Sequence, residues 1–265
     1  MRRYTKGVMI GAGNVAWHLA PALENAGLVI ESVYSRRSKR AQQLADRLYN
    51  TEGQSHLDFS TSEATLFILA VSDDAIMEVA QQLQLPEEAT LVHTSGSQPL
   101  QALRRADTPY TGVFYPLQTF SQHRVPDFRT IPICLESDDS EVLSRLTKLA
   151  KRVSGHVALV NSEERQMLHV AAVLANNFTN HLLHMAGTFV EAHHLDGALL
   201  HPLIEETVLK ALESSPASAQ TGPAIREDAT TIRRHLKQLK AFDPDYAKVY
   251  RILTQHIQKT MSGEQ

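Results

Sequence analysis

One histidine and two asparagines interrupt an apolar, helix-like stretch in the second half of the chain. They are His169, Asn176 and Asn177, within the sequence HVAAVLANNF. Because seven residues make nearly two helical turns, His169 and Asn176 are predicted to share one face. A histidine titrates near neutral pH and an asparagine can hold a carbonyl oxygen, so this set would suit catalysis on a carbonyl or an imine. The alternative is a set of structural residues, hydrogen-bonded at a helix interface.

A glycine-rich turn near the start of the chain indicates a nucleotide site. An apolar run leads into the sequence GAGNVA, which has the pattern G-x-G-x-x-A and precedes a helical pattern. Gly11 would allow the tight strand-to-helix turn, and Gly13 would let a pyrophosphate approach the backbone. The first amides of the helix are unpaired donors that suit a phosphate, so we expect Ala12, Asn14 and Val15 to contact a dinucleotide as well. The alternative is an ordinary glycine turn.

The end of the second predicted strand bears on the choice of dinucleotide. Folds that prefer NAD place an acidic residue there, roughly 20 positions after the glycines, to bind the ribose 2′-hydroxyl. This chain has Ser35, Arg36 and Arg37 instead. A hydroxyl and guanidinium groups suit a 2′-phosphate, to which arginine donates paired, charge-assisted hydrogen bonds. The sequence therefore predicts NADP as the cofactor, unless residues 36–40 are only the solvated start of the next helix.

Two further strand ends are predicted to face the same cofactor. One follows a continuous apolar run, which is typical of a parallel strand buried on both faces, and the other is rich in small and hydroxyl-bearing residues. Loops at the carboxyl ends of such strands face the ligand crevice. The residues expected to contact the cofactor there are Ala70, Val71, Ser72, Thr94, Ser95 and Gly96.

The order of the patterns predicts two domains. Strand and helix patterns alternate with short turns over residues 1–158, which predicts a doubly wound α/β domain. Only helical patterns follow, so residues 159–265 are predicted to form an all-α domain. Its first helix is predicted to begin with Ser162 as a hydroxyl cap and to extend about 45 Å. A small domain cannot cover so long a helix alone, so we predict a homodimer through the helical domain.

Composition narrows the class of protein. The net charge of −3 gives no support for nucleic-acid binding, and no apolar run approaches the roughly 18 residues of a membrane helix. Cys134 is the single cysteine and lies in an apolar run, so a buried thiol is expected. His181 and His184 are three residues apart, whereas helical zinc pairs use a spacing of four, so no metal site is predicted. With no signal-peptide pattern, we expect a cytoplasmic protein with a small-molecule substrate.

Several motifs together carry a resemblance that covers nearly the whole chain. The motifs are the glycine turn, Ser35-Arg36, residues 70–73, HTSGS at 93–97, YPLQ at 115–118, HVAAVLANNF at 169–178 and GPAIRED at 222–228. With them the chain resembles a Rossmann-like family of NADP oxidoreductases whose helical C-terminal domain has no assigned function. It is also similar to deazaflavin-dependent NADP reductases, pyrroline-5-carboxylate reductases, ketopantoate reductases and 6-phosphogluconate-type dehydrogenases. The resemblance implies NADP binding and a dimer with the active cleft between the domains.

One departure from the wider group concerns the catalytic base. The β-hydroxyacid dehydrogenases of that group carry a catalytic lysine on the first long helix, four residues before an asparagine. Here the corresponding positions hold Ala172 and Val173. The lysine-dependent oxidation of an alcohol is therefore not expected, and His169 becomes the candidate proton donor. Tyr115 is a second candidate, although it could equally be a packed corner.

The leading hypothesis is an NADP-dependent oxidoreductase that transfers a hydride to or from a small carbonyl, imine or hydroxy compound. The alternative is a protein that binds NADP without catalysis, as a sensor or scaffold. A third is a Rossmann domain that binds another nucleotide. The fold alone does not choose among these hypotheses.

Overall fold

A computed structural model describes residues 3–261, without the side chain of Met261. The chain divides into two compact units, one up to Asn176 and one from Asn177 onward, called here the sheet unit and the helical unit. The boundary predicted between residues 158 and 159 stays a prediction about the functional domains.

The sheet unit contains one mixed sheet. In the described residues its strands are β1 (Lys6–Ile10), β2 (Val29–Tyr34), β3 (Glu52–Gln54), β4 (Leu66–Leu69), β5 (Thr90–His93), β6 (Thr111–Pro116), β7 (Ile133–Glu136) and β8 (Val157–Leu159). They lie in the order β3-β2-β1-β4-β5-β6-β7-β8. All neighbours are parallel except β6 and β7, which are antiparallel. The chain therefore reverses its direction of winding between β1 and β4, where ligands of such sheets bind.

Helices cover both faces of the sheet, which confirms the predicted doubly wound α/β fold. They are α1 (Asn14–Asn25), α2 (Ser38–Ala45), α3 (Ile76–Gln82), α4 (Ser140–Val153) and α5 (Ser162–Ala172). Successive residues of a strand point to opposite faces. Met9 accordingly packs in one core cluster with Leu19 of α1 and Leu149 of α4. Val8 packs in the other cluster with Ile76 of α3.

Helix α1 contains a proline whose missing hydrogen bond is replaced by a side chain. Pro21 has no N–H, so the carbonyl of Trp17 loses the partner that a helix normally provides. Nη1 of Arg47 donates to that carbonyl at 2.6 Å. The same guanidinium lies over the Trp17 ring, 4.1 Å from its centroid. The helix that follows the glycine turn is thus held by a contact from the end of α2.

The N-cap of helix α5 lies one residue before the predicted cap. Asn161 is the N-cap, and it forms a capping box with Glu164: each side chain accepts a hydrogen bond from the backbone N–H of the other residue. The prediction that Ser162 caps this helix is therefore wrong, because its hydroxyl bonds to Glu136 and to the backbone of Leu100 instead. A π-helical segment, Val173–Phe178, follows α5 directly.

The helical unit consists of helices with short connections. They are α6 (Thr179–Ala192), α7 (His201–Glu213), α8 (Pro216–Ala219), α9 (Ala229–Phe242) and α10 (Pro244–Met261), with a 3-10 turn at Gly197–Leu200. Phe242 of α9 makes edge-to-face contacts with Phe189 of α6 and Tyr246 of α10. His235 of α9 bonds to the hydroxyl of Tyr250 at 2.9 Å. Aromatic contacts thus join three of these helices.

Candidate functional site

The glycine turn joins β1 to α1 against the end of β4. Gly11 has a φ of +116°, and a Cβ there would lie 2.2 Å from the carbonyl oxygen of Ala70. Only glycine fits this position, because both the conformation and the space exclude a side chain. A Cβ on Gly13 would meet nothing within 4 Å. Gly13 therefore faces open space rather than a neighbouring part of the fold, and packing does not explain its identity.

A groove of ≈ 440 Å³ extends from this turn to the end of β2. Most of the residues predicted to contact the cofactor line it. Gly13 is the N-cap of α1 and has no capping side chain, so the first amides of the helix are not bonded by a cap. The predicted residues that line the groove are Gly11, Ala12, Gly13, Asn14, Val15, Ser35, Arg36, Ala70, Val71, Ser72 and Thr94.

The basic end of the groove differs in one residue from the prediction. Arg36 and Arg40 line the groove, whereas Arg37 does not. The Ser35 hydroxyl accepts a hydrogen bond from the backbone N–H of Arg37 at 3.3 Å. Arg40 lies four residues after Arg36 and near the start of α2. Its place in the first turn of the helix that follows the second strand could have identified it from the sequence.

Val79 of α3 and Glu78 complete the opposite wall of the groove. No sequence pattern selects these two residues, because they lie inside a helix of seven residues. Their place follows from the packing of α3 beside the end of β4. Asn14 is engaged outside the helix too, since its amide donates to the carbonyl of Phe120 at 3.1 Å.

Ser95 and Gly96 lie beyond the groove, in the loop that follows β5. The Ser95 hydroxyl accepts hydrogen bonds from the backbone N–H groups of Ser97 and Gln98, at 3.1 and 3.0 Å. The Ser97 hydroxyl in turn donates to the Asp73 carboxylate, in the loop after β4. These bonds join the two loops at the carboxyl ends of neighbouring strands and give the β5 loop a fixed shape.

His169 of α5 lies against this loop and against β6. The Tyr115 hydroxyl and His169 Nδ1 are 3.2 Å apart, and the two rings meet edge to face. A Cβ on Gly96 would lie 2.6 Å from His169 Nδ1 and 2.7 Å from Cζ of Tyr115. Gly96 is therefore needed for this close approach. The sequence allowed two interpretations of Tyr115, as a proton donor or as part of a packed corner. In the structure its hydroxyl is the hydrogen-bond partner of His169.

Burial changes the pKa of two groups near this contact. Desolvation raises the pKa of Tyr115 to about 12, so its hydroxyl keeps its proton at neutral pH. His93, at the end of β5, has a pKa of about 4, first because it is buried and then because of the positive charge of Arg165. Its Nδ1 accepts a hydrogen bond from the N–H of Ser95 at 3.2 Å, which is consistent with a neutral ring.

Asn176 and Asn177 lie in the π-helical segment and are exposed. A π-helix bonds residue i to residue i+5, so each residue turns by less than in an α-helix. The α-helical spacing that was used to place Asn176 on the face of His169 therefore does not hold across this segment. Cys134, expected as a buried thiol, is 1% exposed, and burial raises its pKa.

Comparisons with known proteins fit this architecture. A family model described as a Rossmann-like domain matches residues 2–113, and a domain of unknown function (DUF2520) matches residues 131–257. A crystal structure of a "putative NADP oxidoreductase" from Bacteroides fragilis is 39% identical, covers 97% of this chain and 98% of that chain, and has a TM-score of 0.89. The chain belongs to this Rossmann–DUF2520 family. No curated protein matches its sequence.

More distant structures share the fold of the Rossmann–DUF2520 family. A protein from Thermotoga maritima is 23% identical over 97% of this chain and 99% of that chain, with a TM-score of 0.70. An imine reductase from Myxococcus stipitatus, solved in complex with NADP+, is 14% identical over 98% of this chain and 95% of that chain, with a TM-score of 0.63.

The described residues were also compared with the requirements for a membrane-spanning helix and for a metal site. None of the helices within residues 3–261 is both long enough and apolar enough for a membrane crossing. In the same part of the chain, no group of three or more histidine, cysteine or acidic side chains is arranged to hold a metal ion.

Proposed function

We propose that this protein is an NADP-dependent oxidoreductase that acts on a small carbonyl, imine or hydroxy compound. The observation that carries the proposal is the groove that joins Gly13 to Arg36 and Arg40. The similar protein from Bacteroides fragilis is described as an NADP oxidoreductase, and the imine reductase of the same fold was solved with NADP+. Both descriptions agree with a cofactor that carries a phosphate on its ribose.

The residues present fit this cofactor. The open space at Gly13 would admit a pyrophosphate beside the first amides of α1, where the helix dipole favours negative charge. Arg36 and Arg40 would bind the 2′-phosphate, and Thr94 would lie toward the nicotinamide. The cofactor supplies hydride transfer, and the protein supplies binding, orientation and a proton.

His169 and Tyr115 are the groups that we propose for the proton. Each can donate or accept a proton through the hydrogen bond that links them. If Tyr115 donates to Nδ1, the proton of a neutral His169 ring is on Nε2; if Nδ1 donates, the Tyr115 hydroxyl is the outward donor. Asn176 and Asn177 stay predicted catalytic residues, with an asparagine holding the carbonyl of the substrate.

Cofactor binding can be measured through the single tryptophan. Trp17 lies on α1, next to the glycine turn. We expect NADPH to quench Trp17 fluorescence and to bind about tenfold or more tightly than NADH. Arg40→Ala and Arg36→Ala should remove most of that preference, because each loses charge-assisted bonds to the phosphate. Arg104→Ala is the matched control, since Arg104 is exposed and does not line the groove.

The outcomes separate the candidate functions. If neither nucleotide binds, both the oxidoreductase and the NADP sensor are wrong. If NADPH binds, small carbonyls and imines are screened for loss of the reduced-nicotinamide absorbance. Turnover that falls in His169→Ala and Tyr115→Phe supports the proposal. Binding with no turnover across the panel favours a sensor or scaffold.

We propose further that the protein is a homodimer and that the helical domain predicted for residues 159–265 forms the interface. Met167, Val170 and Leu174, spaced three and four residues apart, are each more than half exposed in the single chain. In the helical unit, Leu199 and Leu212 are 70% and 80% exposed. Soluble monomers rarely expose apolar patches larger than a few hundred Å². Light scattering should give twice the 29.5 kDa of the chain, and a monomer at micromolar concentration would contradict the proposal. The cytoplasmic location stays a prediction.

A further inference from the structure

Arg165 of α5 is a charged side chain with no exposed surface. Burial of a guanidinium is costly unless its donors are paired. Its Nη1 forms an ion pair with Glu136 at the end of β7. Its Nη2 donates to the backbone carbonyl of Gln98 at 2.6 Å, and its Nε has no hydrogen-bond partner within the described residues. The guanidinium thus joins a strand end to the loop that follows β5.

Three side chains on the same face of α5 contact this loop in sequence. Residues later in α5 contact residues earlier in the loop, so the helix and the loop run in opposite directions. His169 approaches Gly96. The Gln166 amide donates to the carbonyl of Ser97 at 2.9 Å, and Arg165 donates to the next carbonyl, that of Gln98. These contacts fix the position of the loop backbone relative to His169.

Ser162, at the start of α5, makes the last of these contacts between the helix and the loop. Its hydroxyl accepts a hydrogen bond from the N–H of Leu100 at 2.9 Å and donates to Glu136 at 2.8 Å. Glu136 therefore receives hydrogen bonds from both Ser162 and Arg165. One partly buried carboxylate holds together the two side chains that reach the loop from the first turn of the helix.

We propose that Arg165, paired with Glu136, is a positioning residue that sets the place of the 96–100 loop relative to His169. The inference rests on the proposed function, in which Thr94 of the same connection lines the cofactor groove and His169 handles the proton. Because Gly96 leaves no space between the loop and the Tyr115–His169 pair, a shift of the loop displaces that pair. The distance from the cofactor to the proton donor would then change.

The geometry of arginine is necessary for this role. Its two terminal nitrogens reach different partners, Glu136 and the Gln98 carbonyl, in one planar group. A lysine could pair with the carboxylate, but its single nitrogen could not also hold the loop in the same way. A buried ion pair is often replaceable by apolar residues without loss of stability. What this pair provides is therefore the position of the loop.

The test compares Arg165→Lys with Arg145→Lys. Arg145 is a half-buried arginine of the same unit that stacks on Tyr4, away from the loop. In Arg165→Lys we expect amide hydrogen exchange at Ser97, Gln98 and Leu100, whose N–H groups are all hydrogen-bonded, to accelerate about tenfold. The NMR signal of the His169 imidazole should also move. The dissociation constant for NADPH should stay within about twofold, because Arg165 does not line the groove. Arg145→Lys should change none of these.

Unchanged exchange and an unchanged His169 signal in Arg165→Lys would overturn the proposal. A general loss of protection across the sheet, with NADPH binding lost as well, would assign Arg165 a merely structural role and would overturn it too. If Arg165→Lys fails to fold, Gln166→Ala takes its place, because Gln166 is half-buried and loses only the bond to Ser97. It should accelerate exchange about threefold in the loop and shift the His169 signal. Exchange and the His169 signal are measured without cofactor, so a wild-type protein that binds no NADPH would contradict the proposed function separately.

Discussion

The two units of this chain bury their apolar residues to very different degrees. The sheet unit has fully buried side chains on both faces of the sheet, such as Leu19 and Leu91. Among the described residues from Asn177 onward, only Ala224, Ala247 and Thr254 are buried. Both units are built from regular elements, so secondary structure does not explain the difference.

The difference indicates where each unit obtains its stability. Burial of apolar surface is the main favourable contribution to folding. The sheet unit obtains it within one chain, through two core clusters. The helical unit leaves large apolar residues exposed along α7, including Leu203 and Leu212. We infer that a second copy completes its core, and the predictions below test that inference.

The largest effect is expected from charges on the apolar surface of the helical unit. Leu199→Glu combined with Leu212→Glu should convert the dimer to a monomer at micromolar concentration, because a carboxylate is costly to bury without a partner. Light scattering measures the mass. Val125→Glu is the control, since Val125 is 82% exposed in the sheet unit and should leave the mass unchanged. A dimer that persists in the double variant would place the interface elsewhere.

A second prediction contrasts core substitutions in the two units. Leu149→Ala creates a cavity under the sheet and should lower the free energy of unfolding by about 2–5 kcal/mol, equally at all protein concentrations. Leu203→Ala removes a side chain that is 64% exposed in the single chain. If a second copy covers it, its effect should be largest at concentrations where the wild type is a dimer and should shrink as dilution separates the two copies. Thermal unfolding over a hundredfold range of concentration distinguishes the two. If the effects of Leu149→Ala and Leu203→Ala depend on protein concentration in the same way, the inferred difference between the two units would be contradicted.

A third prediction concerns the loss of stability in acid. The pKa of His93 is about 4 in the folded sheet unit, against an ordinary value near 6.5. Between these values the unfolded chain binds a proton that the folded chain does not, so stability falls as the pH drops from about 6.5 to 4. The loss should approach about 3 kcal/mol. Denaturant titrations at several pH values measure it.

His93→Asn should reduce that dependence, because an amide keeps an acceptor for the Ser95 N–H but does not titrate in this range. His181 and His184 of the helical unit are exposed. Substitution of either by asparagine should leave the acid dependence as it is in the wild type. A dependence that survives in His93→Asn would show that other groups cause it.

The sequence predicted the sheet unit well because its signals are local. The glycine turn and the apolar run of β4 each reflect a strand buried on both faces, and they determine the class of fold. Strands β3 and β8 were missed, because each has only three residues and pairs at or near an edge of the sheet. The antiparallel direction of β7 likewise depends on tertiary pairing rather than on local pattern.

The candidate site was only partly predictable, for physical reasons. Arg40 could be inferred from its place in the first turn of the helix that follows β2. The partners of Arg165 could not, because they lie 29 and 67 positions away in the chain and meet it only through the fold. The π-helical segment at Val173–Phe178 has no sequence signal that periodicity detects, since the apolar pattern across it also fits an α-helix.

The smallest effect on stability is expected at Gly13, within the self-sufficient sheet unit. A Cβ there meets no atom within 4 Å, and the residue does not have a positive φ, so Gly13→Ala should leave the unfolding temperature unchanged within error or slightly raised. The same methyl group would occupy the space proposed for the pyrophosphate, so NADPH affinity should fall about tenfold or more. Trp17 fluorescence measures the affinity and circular dichroism the stability. Gly11→Ala is the contrasting variant: its Cβ would lie 2.2 Å from the Ala70 carbonyl oxygen, so it should destabilise the fold itself. If Gly13→Ala lowers stability as Gly11→Ala does, or binds NADPH like the wild type, then packing within the unit and not a ligand accounts for this glycine.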